Sequence, residues 1–138
     1  MNIDEKHDPA SVLAHWTYTR EEWRRFMLWK KLKKSFLHYT IYFFIPKKQQ
    51  QIPEIKITRE RVWIGNDHQH FHSHEHKLKR IDISDEGKLN IMEITYEWAK
   101  RKIPGPDEIR IPVPKGKLKE AIEVEEKLNA IKITSLQD

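Results

Sequence analysis

No cysteine occurs in the 138 residues, which excludes disulfides, thiolate nucleophiles and cysteine-based metal sites. A reducing compartment is compatible with that. Glycine is scarce as well: four residues, never in a run, leave no glycine-rich loop able to cradle a phosphate. Lys115-Gly-Lys117 precedes a helical pattern but lacks the rest of such a motif, and reads as a loop. Long apolar runs are missing too. The densest, residues 36–45, is interrupted by His38 and Thr40 and falls well short of the about 20 residues a spanning helix needs. The first nine residues are acidic and polar, unlike a secretory signal. The expectation is a cytoplasmic protein, either free or peripheral to a membrane. No serine sits in a nucleophile elbow and no carboxylate pair stands out among 21 scattered acids, so enzyme function has no positive support.

What is present suits one folded domain. Apolar residues make up 38% of the chain, and five Trp, five Phe and four Tyr supply bulk for a core, so the composition is not that of a disordered chain. A formal charge of +5 favours acidic partners, phosphate backbones or anionic headgroups, without choosing between them.

Along the chain, residues 1–17 show no clear period and read as an irregular leader. Thr19-Arg-Glu-Glu22 is a capping box, and Tyr18 and Trp23 are spaced as a hydrophobic staple, which predicts a helix from residue 20 to about 36. Residues 38–45 read as a strand closed by Pro46, with a continued helix as the alternative. From Pro53 to Pro114 the period is close to two. Short alternations around 55–57, 62–64, 78–84, 89–98 and 109–113, with a short strand expected around 68–72, are separated by turn residues, among them Gly65-Asn66-Asp67 and Asp85-Glu86-Gly87. On the longest strand Met92, Ile94, Tyr96 and Trp98 share a face. Short connections of this kind describe an antiparallel meander. A helical pattern returns over 117–130, with Leu118, Ala121, Ile122 and Leu128 near one face, and residues 131–138 read as a frayed tail.

Residues 54–130 resemble the pleckstrin-homology-like cytoplasmic domain of small bacterial membrane-associated proteins. The likeness is carried by Ile57-Thr-Arg-Glu-Arg-Val-Trp-Ile64, by the alternation over 89–96, and by Ile109-Arg-Ile-Pro-Val-Pro114 leading into the last helix. Tyr18-Thr-Arg-Glu-Glu-Trp23 with Phe26 is similar to the N-terminal segment of those proteins. The resemblance implies an α+β fold: an N-terminal helix, six or seven antiparallel strands forming a barrel or strongly bent sheet, and a closing amphipathic helix, with 18–130 as the domain. Those proteins commonly carry a transmembrane hairpin after the first helix, where this chain has only residues 36–45. Membrane anchoring is therefore not carried over, and the resemblance brings no binding residues.

Two segments could carry function. His68, His70, His72, His74 and His76 recur at a spacing of two, so an extended segment would put all five imidazoles on one face. Such a face, with Glu75 or Asp67, could hold Zn²⁺, Ni²⁺ or Cu²⁺, although no named zinc spacing is present. The same residues would make a pH sensor, since neighbouring imidazoles titrate near pH 6 and repel once charged. They would equally make a solvated edge strand that discourages pairing with another chain. The N-terminal helix interleaves Arg24, Lys30 and Lys33 with Trp23, Phe26 and Trp29, a composition that fits contact with an anionic membrane or a membrane-protein partner. It fits nucleic acid less well, given the mild charge excess. The alternative is that the rings pack on the sheet while the basic side chains stay in water. The expectation is a non-catalytic interaction module, with a metal- or pH-responsive protein as the second reading and nucleic-acid binding as the third.

Overall fold

The computed structural model describes residues 11–33, 51–103 and 105–137. The strand or helix expected over 38–45 lies outside them. The capping box forms as its residues dictate. The Thr19 hydroxyl accepts from the Glu22 amide at 3.1 Å and a Glu22 carboxylate oxygen accepts from the Thr19 amide at 2.8 Å, opening helix α1, Arg20–Lys33. Tyr18 and Trp23 close the staple with ring centroids 5.5 Å apart.

Among the described residues the chain forms seven strands. β1 (Val12–Trp16) precedes α1, and β2 (Ile55–Thr58), β3 (Arg61–Ile64) and β4 (Asp67–His70) complete an antiparallel four-stranded sheet in the order β1-β2-β3-β4. β5 (His76–Asp85), β6 (Asn90–Trp98) and β7 (Pro106–Val113) form an antiparallel three-stranded sheet. Gly65 opens the β3–β4 turn at φ 62° with no positive φ at Asn66, the pattern of a two-residue II′ hairpin turn. Asp67, read from sequence as part of that turn, is the first residue of β4.

Residues 12–16 correct the expected leader. They pair with β2, and Ala14 and Trp16 are buried; a bulge between Val12 and Ala14 breaks the alternation that would have marked the strand. A second bulge, between Leu78 and Arg80, resets the side-chain alternation, so Leu78 and Ile81, three residues apart, both face the core.

The inner faces of the two sheets enclose one core, in which Trp16, Ile57, Val62, Phe71, Met92, Ile94 and Ile111 are almost wholly buried. Helix α2, Leu118–Gln137, packs on β5 and β1 and contributes Ala121, Val124 and Leu128. Its inward face is thus set by 121, 124 and 128; Leu118 and Ile122, expected on it, are more than 40% exposed. The helix also runs through most of the tail expected to fray. Ile91, on the opposite side of β6 from Met92, joins Leu89 and Phe26 in a second cluster, so that strand is apolar on both faces. The architecture is α+β, with two helices and two antiparallel sheets among the described residues, and no strand pairing closes the sheets into a barrel. Among those residues no helix is long and apolar enough to cross a membrane.

Candidate functional site

Helix α1 crosses the outer face of the three-stranded sheet near the start of β6. Trp23, Phe26 and Trp29 form a row with centroids 5.3 and 6.1 Å apart, and Phe26, 2% exposed, packs against Leu89 and Ile91. Trp29 Nε1 donates to Glu86 at 3.1 Å and the Arg110 guanidinium lies 6.0 Å from the Trp29 ring. Lys30 Nζ sits over the Phe26 ring at 5.5 Å. Of the side chains proposed from sequence to touch a partner, Trp23, Phe26, Trp29 and Lys30 therefore lie on the packed side. Arg24 is exposed, and Lys33 ends the helix.

The start of α1 is fastened by polar groups. Tyr18 donates its hydroxyl hydrogen to the Pro112 carbonyl at 2.8 Å; burial, and then the Glu22 charge, push its phenol well above the ordinary range. Glu22 accepts from the Lys115 amide at 2.7 Å as well as from Thr19. Burial pulls its carboxyl up, but the hydrogen bonds from Lys115 and Thr19 outweigh that and hold it below its ordinary value.

The side of α1 turned away from the sheet carries two leucines that are not among the contact residues expected from sequence. Leu28 is 56% exposed and Leu32 76%, in line at four-residue steps with the exposed Arg20 and Arg24. The signal was available in the spacing: once Phe26 points inward, positions 24, 28 and 32 point out.

The histidine segment does not stay extended. β4 ends at His70, residues 71–75 bend, and β5 begins at His76, so the five imidazoles do not share one face. Phe71 causes the break. Its side chain is fully buried in the core, and its amide donates to the Glu60 carbonyl at 2.9 Å. His68, His70 and His76 are brought together, with successive centroids 5.2 and 5.6 Å apart. His72 and His74 lie on the loop, with the His74 side chain almost fully exposed. The Ser73 hydroxyl organises that loop, accepting from the Glu75 and His76 amides and meeting His76 Nδ1 at 2.8 Å. The loop and the β6–β7 connection line a cleft of about 570 Å³ whose walls include His76, Trp98, Arg101 and Lys132. Among the described residues, no group of three or more His, Asp or Glu side chains is placed to hold a metal ion.

Comparison with known proteins adds no identity: no family model, curated protein or solved structure matches the chain.

Proposed function

We propose that the chain is a non-catalytic interaction module of pleckstrin-homology-like architecture, a cytoplasmic adaptor that meets an anionic membrane surface through the outward side of α1. The fold-level reading is supported by the seven antiparallel strands among the described residues, in sheets of four and three, followed by a C-terminal helix. Fold does not choose a partner, and one observation carries the functional reading: Leu28 and Leu32 stand exposed in line with Arg20 and Arg24 while the aromatic side of the helix is already occupied. Leucines entering the acyl boundary beneath guanidinium groups that meet acidic headgroups is the arrangement of an interfacial helix.

The test is co-sedimentation of the full chain with anionic and neutral vesicles at low and physiological salt. Binding should be selective for anionic vesicles and persist at physiological salt. Leu28→Ser with Leu32→Ser should weaken it about tenfold or more, since each leucine loses up to about 1.5–3 kcal/mol of burial. The thermal unfolding curve should stay in place. Absence of vesicle binding by the wild-type chain, or equal binding by the double variant, refutes the membrane as partner.

A further inference from the structure

β4 and β5 follow one another in the chain but belong to different sheets, and no backbone ladder joins them. Rings span the gap instead. Trp63 on β3 meets His68 with centroids 4.6 Å apart, and His68 meets His70 edge-on at 5.2 Å. His70 stacks on His76 of β5 at 5.6 Å with planes 26° apart, and His76 stacks on Trp98 of β6 at 6.1 Å with planes 8° apart. Tyr96 flanks His76 at 5.8 Å. A continuous row of rings thus runs from the four-stranded sheet to the three-stranded one, and its middle members are imidazoles.

We propose that this row is a pH-sensitive seam: neutral imidazoles hold the β4 edge against β5, and protonation on acidification loosens β4 and the loop after it. The charges around the seam give it that direction. Arg61 and Glu60 act on His70 from the start of β3, His68 from its own strand and His76 from β5. Of these only Glu60 favours an imidazolium at His70. On the far side, Glu75 is engaged by Lys100 at 3.0 Å and lies 4.0 Å from His74, and Glu97 lies 3.9 Å from Lys79. Asp107, near Tyr96, pairs with Arg101 at 3.1 Å. The neighbouring carboxylates on the β5 and β6 side already have cationic partners, so an imidazolium at His70 would mainly meet repulsion, from Arg61 first.

Burial first, then Arg61, His68 and His76, hold the His70 pKa below the ordinary imidazole value of 6.5, against a smaller pull from Glu60. As pH falls past 6.5 the unfolded chain binds a proton that folded His70 resists. Stability is therefore full above that pH and is lost progressively down to the lower value of the folded state.

The experiment follows thermal unfolding of the full chain from about pH 7.5 to about pH 5, beside His70→Phe, which keeps a ring in the row and removes its titration. The wild-type Tm should drop by about 3 °C or more over this range, and the variant should lose less than half as much. Parallel curves overturn the proposal. Should His70→Phe not fold, two measurements on the wild-type chain decide. A His70 imidazole NMR midpoint below 6.5, with reduced amide protection in β4 at the acid end, sustains the seam. A midpoint at or above 6.5, or unchanged protection, refutes it.

Discussion

The two helices meet the sheets in opposite ways. α2 sinks Ala121, Val124 and Leu128 into the main core, each at most 1% exposed, and these short or branched side chains let its backbone come close to β5 and β1. α1 stands off on aromatic rings that reach Leu89 and Ile91 around a single fully packed side chain, Phe26. Directed bonds complete its hold, from the Tyr18 hydroxyl to the Pro112 carbonyl, from the Lys115 amide to Glu22 and from the Trp29 indole to Glu86. A helix whose inner face is part of the core cannot leave without unfolding the domain. A helix held by one buried ring, its partly exposed neighbours and a few polar contacts can open locally, and local opening suits an element that meets a partner.

The comparison breaks or holds on two core substitutions. Leu128→Ala should remove about 4 kcal/mol, because the site is 0% exposed within the main core, and denaturant unfolding should show that loss as one global transition. Phe26→Ala should remove about 3 kcal/mol, at the low end for a buried phenylalanine, since among the described residues its cluster has Leu89 and Ile91 as buried companions and otherwise partly exposed ones. The sharper difference is in amide exchange. With Phe26→Ala, protection should fall in α1 while α2 keeps its own; with Leu128→Ala, both should fall together. If Phe26→Ala lowers protection equally in the two helices, α1 is as much a part of the core as α2 and the distinction fails.

Much of this frame was legible in the sequence, and the parts that were not share a physical cause. The capping box and staple placed α1 because their hydrogen bonds and ring contact are local, joining residues no more than five positions apart. Most strands of the meander were legible through a period of two. In the five-residue β1 a bulge at Leu13 interrupts that period and the strand was invisible, since one extra residue sends the next side chain to the other face; the longer β5 stayed legible despite its own bulge. The histidine face failed for a related reason. Its spacing was right for a strand, but Phe71, inside the segment, has more to gain in the core than the histidines have from staying extended. The aromatic face of α1 was ambiguous from sequence because rings that suit a membrane boundary also suit a sheet, and only tertiary contact with Leu89 and Ile91 decides between them. The same uncertainty covered α2, where Leu118 and Ile122 are as apolar as Val124 and Leu128 and only the position of β5 selects the inward pair.

The smallest effect sharpens the comparison from the other side. Thr19→Ala removes the hydroxyl that accepts from the Glu22 amide, a loss of about 1 kcal/mol for an N-cap. The Glu22 carboxylate keeps its bonds from the Thr19 position's backbone amide and from Lys115, because neither needs the threonine side chain. Protection should therefore fall in the first turn of α1 and remain at Trp29, which is anchored separately through Glu86. Glu22 also gives the variant a pH signature. Its folded pKa lies below the ordinary 4.5, so its contribution is present above that value and is lost as pH falls through the folded one. The Thr19 hydroxyl is among the groups that lower it, so in Thr19→Ala the contribution shrinks and the gap between variant and wild-type stability should narrow in acid. A loss well above about 2 kcal/mol, with protection gone along the whole helix, would mean that the cap and the docking of α1 form a single cooperative unit.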